Sequence, residues 1–367
     1  MKKECKICLN AMVGNEERVI LRMLESSYQY IDYWVIQCNG SDKTQSIIEK
    51  FYKQKNIPGF VYNHEWDFPG VNRDHTLQTA LKSDHKCDWI LRMDADEQLE
   101  VDDNFDWSPL NEKKAQSFNI TALCPGSIYF RTWLWNSKYP WKFAHDRRHE
   151  CIYLDDVGEN FERVQLDKGF RHIITNDGET WDDKNKFLTD ALELEKQKVP
   201  TNKLLDDFYH FWYIGKSYYD STKGDYPLGE EHTKEYARRT IFYFNQYLNY
   251  KHNYQQTGRA FGIDEMGYFA LFAMGNMWKI IGDYEKSIDC GMRAEEFAPL
   301  RNEHIVLLAE CFDALGDFES MRYQTDRLMD PNRKLPFPQY NFLLNMNCYN
   351  DTGKYCEFLH TRALGSL

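Results

Sequence analysis

The sequence lacks long hydrophobic runs, an excess of positive charge and any regular spacing of cysteines. In its 367 residues no window approaches the roughly 18 uninterrupted apolar residues of a membrane-spanning helix, so we predict no transmembrane segment. Acidic residues number 57 against 45 basic ones, a formal net charge of −12. This charge argues against a nucleic-acid-binding protein or a protein of anionic membrane surfaces.

The cysteines give no sign of a disulfide framework or a zinc site. Ten are scattered along the chain, which is too long to need disulfides for stability. Cys5 and Cys8 form a lone CxxC with no second ligand pair nearby, and residues three apart in a strand point to opposite faces. The N-terminus is interpreted as a first strand rather than a signal peptide. We therefore expect a reduced, cytoplasmic protein.

The first hundred residues alternate between strand and helix patterns. Strands are predicted at 5–13, 33–38, 60–63 and 88–93. Between them we predict a helix capped by Asn15, a helix capped by Ser41 or Asp42, and a helix over 71–83. Such a βαβαβαβ run predicts an α/β fold with a parallel, doubly wound sheet, in which ligands bind outside the carboxyl ends of the strands.

The pattern changes further along the chain. Residues 118–175 show short aromatic and β-branched runs, which predict a mixed extension of the sheet. Beyond about 185 the chain is predicted to be helical, and "GDY" at Gly282 and "GDF" at Gly316 repeat with the 34-residue period of tetratricopeptide hairpins. A further "GDY" at 224–226 fits an irregular first unit, and the alternative is a helical bundle with a chance repeat.

The string "DWILRMDADE" directs carboxylates out of the end of a predicted buried strand. Side chains two apart on a strand point the same way, so Asp94 and Asp96 are predicted to share a face while Ala95 faces the core. Two convergent carboxylates suit Mg²⁺ or Mn²⁺, whose shell substrate phosphates complete. The alternative is a solvated helix N-terminus, where acidic residues are favoured by the helix dipole.

Several segments together resemble glycosyltransferases of the GT-A fold, family 2, with a C-terminal tetratricopeptide (TPR) region. The segments that carry the resemblance are "NAMVGNEERVILRMLESS", "WVIQCNGSDKT", "VNRDHTLQTA", "DWILRMDADE", "RRHECI" and "GFRHIITNDGETWDDKNKF". Their order matches the family over residues 5–190. One position departs from it: Gln37 stands where the family usually has an Asp that contacts the nucleobase, so Asn39 or Asp42 is a substitute contact.

The resemblance implies a Rossmann-like, mostly parallel GT-A domain over 1–190 and an all-α TPR-like region over 191–367. It also implies metal-dependent, inverting transfer of a sugar from a nucleotide-diphosphate donor to a hydroxyl of a glycan or protein acceptor. The TPR-like region implies a protein partner or self-association.

The same resemblance assigns roles to particular residues. Glu150 is the expected base beside His149, with Asp155 and Asp156 as rivals. The expected metal ligands for Mn²⁺ or Mg²⁺ are Asp94, Asp96 and His172, and the histidine is also a candidate for the pyrophosphate or for orienting the base. The residues expected to bind the nucleotide-sugar are Asn10, Glu16, Gln37, Asn39, Asp42, Arg73, Asp94, Trp133 and Trp135.

Some of these roles have alternatives. Arg73 suits phosphate oxygens, although a surface ion pair with Asp74 or a neighbour is an equal alternative. Trp133 and Trp135, which share a strand face, belong either to a sugar-stacking platform or to the sheet core. Two other functions also compete: a nucleotidyltransferase, disfavoured by the acidic loop "VGNEER", and a non-catalytic TPR scaffold, which the departure at Gln37 keeps open.

Overall fold

A computed structural model describes residues 2–124, 127–143, 152–155, 161–178, 183, 185–196, 204–223, 230–255, 265–330 and 354–365. The chain divides into two compact units, Met1–Asp183 and Lys184–Leu367. The first unit is α/β, and the described residues of the second are helical. The coarse fold class predicted from the sequence is therefore confirmed.

The first unit builds a mixed sheet and its helices. Its strands are β1 (Ile7–Val13), β2 (Tyr33–Cys38), β3 (Gly59–Tyr62), β4 (Trp89–Arg92), β5 (Glu97–Val101), β6 (Ser117–Cys124), β7 (Ser127–Asn136), β8 (Trp141–Phe143), β9 (Ile152–Leu154), β10 (Arg163–Gln165) and β11 (Phe170–Ile174). Its helices are α1 (Ile20–Ser27), α2 (Thr44–Lys55), α3 (Pro69–Leu81) and α4 (Ser108–Glu112).

The sheet runs in the order β3-β2-β1-β4-β7-β6-β11-β5, and β10 also pairs with β6. The first four strands are parallel, whereas β7 is antiparallel to both β4 and β6. From β1 the chain moves outward to β2 and β3, then returns to place β4 on the other side of β1. This reversal puts a topological switch point between the carboxyl ends of β1 and β4, where ligands bind in such sheets.

The first helix buries the face predicted for it but does not begin as predicted. Ile20, Met23 and Leu24 are buried, in agreement with the apolar periodicity. The predicted cap Asn15 is wrong, because α1 begins later. Asn15 Oδ1 instead accepts hydrogen bonds from the backbone amides of Ser41 (2.7 Å) and Asp42 (3.2 Å), which joins the loops that follow β1 and β2.

Asp94 and Asp96 lie in a turn, not on a strand. β4 ends at Arg92 and β5 begins at Glu97, whose backbone amide donates to the carbonyl of Asp94 (3.1 Å). The prediction that strand geometry aligns the two carboxylates is therefore wrong. Ala95, with 5% of its surface exposed, does lie in the core as predicted.

The second unit is a succession of helices, each packed against the next. They are α5 (Lys186–Lys196), α6 (Leu204–Ser221), α7 (Glu230–Gln255), α8 (Glu265–Ile281), α9 (Tyr284–Phe297), α10 (Glu303–Leu315), α11 (Phe318–Leu328) and α12 (Lys354–Gly365). Across the described ranges, none of these helices combines the length and apolar character needed to cross a bilayer. The tripeptide at 224–226 lies outside the described residues.

The sequence repeat corresponds to a repeated structural joint. Gly282 and Gly316 both adopt positive φ angles, 94° and 72°. The aspartates that follow them cap the next helices: Asp283 accepts from the Lys286 amide and Asp317 from the Ser320 amide, each at 3.1 Å. Each joint thus reverses the chain within two residues and starts a new helix, as expected for hairpin repeats.

Substitution of Gly316 tests this joint. Gly316→Ala is expected to lower the free energy of unfolding by about 1 kcal/mol, because the left-handed conformation is unfavourable for alanine. A Cβ at this position meets nothing within 4 Å, so steric clash does not contribute. Urea unfolding measures the change. Gly316→Asn, which tolerates the same φ, is the control, and an equal loss for both variants contradicts the conformational explanation.

Candidate functional site

The carboxyl ends of β1 and β4 meet at the switch point, and Asn10 lies opposite Arg92 there. Asn10 is buried, and its Nδ2 donates to the carbonyls of Val35 (3.3 Å) and Thr76 (3.1 Å). The side chain therefore ties β1 to β2 and α3. The structure places Asn10 beneath the site, where it supports the sheet edge.

Both polar atoms of the Gln37 side chain are hydrogen-bonded to neighbouring polar side chains. Its Nε2 donates to Asn72 Oδ1 (2.9 Å) and Asn39 Oδ1 (3.3 Å), and its Oε1 accepts from Thr76 Oγ1 (2.9 Å). An ionised aspartate has no donor, so it cannot replace the two contacts made by Nε2. The amide at position 37 therefore serves contacts within the chain. Asn39 in turn donates to the carbonyl of His64 (2.7 Å).

Asp42 and Glu16 lie on adjoining loops after β2 and β1. Burial alone would raise the pKa of Asp42, but hydrogen bonds from the Thr44 hydroxyl and nearby amides outweigh it and lower that pKa. One of those amides belongs to Glu17, at 3.0 Å, so Asp42 fastens the two loops together. The Glu16 side chain is half-buried and approaches Gly178, where an added Cβ would lie 3.2 Å from a carboxylate oxygen.

Arginines provide the positive charge at the Asp94 turn. Arg73 Nη2 lies 2.6 Å from Asp94 Oδ1, and Arg92 Nη2 lies 3.7 Å from Oδ2. Burial alone would raise the pKa of Asp94, yet Arg73, Arg92 and Arg131 outweigh it and hold this pKa well below its usual range. Asp94 is thus an ionised carboxylate that orients Arg73.

Glu97 is buried beside the same turn, with 1% of its surface exposed. It forms an ion pair with Arg131, and its Oε2 accepts from the Asp94 backbone amide (3.1 Å). Burial raises the pKa of Glu97 to about 7, Arg131 opposes that rise and Asp94 adds to it. Glu97 therefore links β5 to β7 and to the turn.

His172 completes this buried group from β11. Its Nδ1 lies 3.6 Å from Glu97 Oε2, and neither ring nitrogen has a hydrogen-bond partner within the described part of the chain. Burial, with a further contribution from Arg131, lowers the pKa of His172 to about 3. The imidazole is therefore neutral at physiological pH and packs edge-on against Trp133, with ring centroids 5.8 Å apart.

The two tryptophans of β7 have different surroundings. The guanidinium carbons of Arg92 and Arg131 lie 4.2 and 4.0 Å from the centroid of the Trp133 ring, as in cation–π contacts. Trp135 is 1% exposed and packs on Phe143. Since Trp135 presents no exposed ring face, the structure places it in the sheet core and not on a sugar platform.

Asp96 differs from the other carboxylates of the turn. Its side chain is half-buried, and no lysine or arginine among the described residues forms an ion pair with it. Burial raises the pKa of Asp96, and the neighbouring charges of Asp94 and Asp177 add to the rise. Arg131 opposes this rise, so the partly desolvated carboxylate of Asp96 lies between acidic and basic neighbours.

The predicted metal ligands fit a metal unequally. The described residues contain no group of three or more His, Cys, Asp or Glu side chains arranged to hold an ion. Asp94 is already paired with Arg73, and His172 is fully buried near Arg131. Asp96 fits, because a hard divalent ion needs only one or two carboxylates when substrate phosphates and water complete its shell.

The predicted base Glu150 lies outside the described residues, as do His149 and Asp156. Its rival Asp155 is exposed at the end of β9 and pairs with Lys142 at 2.6 Å. This exposed ion pair distinguishes Asp155 from a desolvated catalytic carboxylate.

Sequence reasoning missed Arg92 and Arg131 and assigned no role to Glu97. Glu97 directly follows the two aspartates in the sequence, and its proximity to them was the available signal. Arg131 interrupts the apolar and aromatic string "SIYFRTWLWN", a position where a charge predicts a buried partner. The sequence spacing of 34 residues between Arg131 and Glu97 gives no indication of their contact.

No protein-family model matches the chain, and no curated protein matches it. The resemblance described above therefore rests on the sequence motifs.

Glu97 and His172 give opposite pH dependences of stability. The pKa of Glu97 rises from 4.5 to about 7 on folding, so its contribution is complete below pH 4.5 and is lost as pH rises through about 7. The pKa of His172 falls from 6.5 to about 3, so its contribution is complete above pH 6.5 and is lost as pH falls through about 3.

Substituting Glu97 or His172 is expected to remove its contribution to the pH dependence of the unfolding free energy. Relative to the unsubstituted chain, Glu97→Gln makes the unfolding free energy rise more steeply with pH, and His172→Phe makes it fall more steeply. Each difference amounts to at most about 1.4 kcal/mol per pH unit, the effect of one proton. Urea unfolding in EDTA between pH 4.5 and 7 measures both slopes. Two variants that keep the original slope contradict the assignment.

Proposed function

We propose that this chain is a metal-dependent, inverting glycosyltransferase with a GT-A catalytic domain followed by TPR-like repeats. It moves a sugar from a nucleotide-diphosphate donor to a hydroxyl of a glycan or protein acceptor. The observation that supports this proposal is the turn of Asp94 and Asp96 beside the switch point, with Arg73 fixed against it. The order of the family-like motifs supplies the reaction class.

The arginines suit a diphosphate. Arg73 and Arg92 have side chains only 11% and 8% exposed, so their charges act in a partly desolvated region where electrostatic interactions are stronger than in water. A guanidinium can hold two phosphate oxygens at once. Asp94 keeps Arg73 in position, and we assign Arg73 to the phosphates of the donor.

Asp96 would hold Mn²⁺ or Mg²⁺ together with the donor phosphates. When bound, such an ion neutralises the negative charge that the diphosphate gains as it leaves the sugar. The support for this assignment is that no lysine or arginine among the described residues forms an ion pair with the Asp96 carboxylate.

The acceptor hydroxyl must lose a proton as it attacks the sugar. We assign this proton to Glu150, with His149 beside it in sequence, and favour it over the exposed, ion-paired Asp155. Glu16 and Trp133 remain donor-binding candidates because both side chains are half-buried near the turn. The helical unit is proposed to bind the acceptor, a partner protein or a second copy of the chain, in the cytoplasm.

A non-catalytic scaffold is the second candidate function, and a specific observation favours it. The amides of Gln37 and Asn39, placed where the family contacts the nucleobase, are engaged with each other and with Asn72 and His64. A protein that no longer binds nucleotides has no need to keep this edge open. The ion pair between Arg73 and Asp94 is compatible with both candidates.

Nucleotide binding distinguishes the two candidates. Thermal shift of the full chain is measured with UDP, GDP, CDP or dTDP, each with Mn²⁺ or with EDTA. We expect one nucleotide to stabilise the protein by about 2.7 kcal/mol at a hundredfold excess over Kd. We expect the stabilisation to disappear in EDTA and in Asp96→Asn.

Asp103→Asn, which removes an exposed acidic side chain of the same unit, is the matched control and should respond like the unsubstituted chain. No response of a folded protein to any nucleotide would favour the scaffold. An undiminished response of Asp96→Asn would remove Asp96 from the metal site.

A further inference from the structure

The segment that follows β11, Thr175–Gly178, is fastened to α1 by an arginine. Arg22 Nη1 and Nη2 bind the two carboxylate oxygens of Asp177 at 3.0 and 2.6 Å. The same Nη2 donates to Thr175 Oγ1 (2.6 Å), and Arg18 donates to the Asp177 carbonyl (3.3 Å). We call Arg22, Thr175 and Asp177 the clasp.

The clasp reaches the acidic turn through Thr175. The backbone amide of Thr175 donates to the carbonyl of Asp96 (3.3 Å). The single proton of its hydroxyl is shared between that carbonyl (2.7 Å) and Asp177 Oδ1 (2.5 Å). Asp96 lies between β4 and β5, outside the strand ladders. The amide contact continues the antiparallel register of β11 and β5 one residue beyond Ile174 and Glu97, and the hydroxyl adds a side-chain contact to the same carbonyl.

Gly178 shows how closely this segment packs on the turn. A Cβ at this position would lie 3.4 Å from Asp96 Cβ and 3.2 Å from Glu16 Oε2. The segment thus contacts Asp96 from the backbone side at Thr175 and from the side-chain side at Gly178.

We propose that Arg22, Thr175 and Asp177 are positioning residues, which fix the backbone of Asp96 and thereby the direction of its carboxylate. Their effect on ligand binding rests on the proposed function, whereas their effect on the turn does not. Arg22 and Asp177 are 32% and 46% exposed, and exposed ion pairs contribute little to global stability. The clasp therefore acts locally.

Thr175→Val tests the clasp with the smallest change, because it removes the hydroxyl and keeps the branched shape. Hydrogen exchange of the amides of Ala95–Glu97 is expected to accelerate about fivefold, the factor for the net loss of one hydrogen bond. Arg22→Gln is expected to act in the same direction. Thr175→Ser, which keeps the hydroxyl, should restore the original exchange rate.

Arg171→Gln is the matched control. It removes another bidentate ion pair of the same sheet region, between Arg171 and Glu100, that does not involve the turn. Exchange at Ala95–Glu97 should remain unchanged in this variant. Unchanged exchange in Thr175→Val, or equal acceleration in Arg171→Gln, would overturn the clasp.

Affinity for the nucleoside diphosphate that binds with Mn²⁺ gives the second readout. We expect Thr175→Val to weaken it about fivefold and Thr175→Ser to leave it unchanged. Faster exchange with unaltered affinity would overturn the role in ligand binding and leave only a structural tie. If the unsubstituted chain binds no nucleotide, the proposed function fails, and the exchange rates alone decide whether the clasp holds Asp96.

Discussion

The balance of charge at the end of β4 is the constraint on which the site depends. Asp94 is paired with Arg73 from α3, and buried Glu97 is paired with Arg131 from β7. The first pair ties α3 to the turn after β4, and the second ties β5 to β7. Trp133, in contact with both Arg92 and Arg131, packs the cations into the sheet.

Because arginines neutralise two of its three carboxylates, the acidic turn is not simply a cluster of negative charge. Three closely spaced carboxylates suggest a metal, because like charges repel. In the fold, arginines meet Asp94 and Glu97, and the argument for a cation then applies to Asp96. Burial also disfavours an ion pair between a charged Glu97 and a charged His172. It raises the pKa of the glutamate and lowers the pKa of the histidine. The interior thus limits its net charge with arginines and with protonation.

The hydrogen bonds of Gln37 keep the carboxyl end of β2 ordered. Gln37 satisfies Asn39, Asn72 and Thr76 at once, which links the end of β2 to α3. The side-chain amide of Gln37 is occupied by these contacts within the chain.

The sequence by itself determined the α/β alternation, the buried face of α1 and the 34-residue spacing of the segments that start at Gly282 and Gly316. Hydrophobic periodicity and glycine conformation act over a few residues, so they can be interpreted locally. Only the tertiary structure decided that Asp94 and Asp96 occupy a turn, that Asn15 joins two loops and that Arg131 meets Glu97. These outcomes depend on which strands become neighbours after the crossovers, and that order is set by packing of the whole sheet.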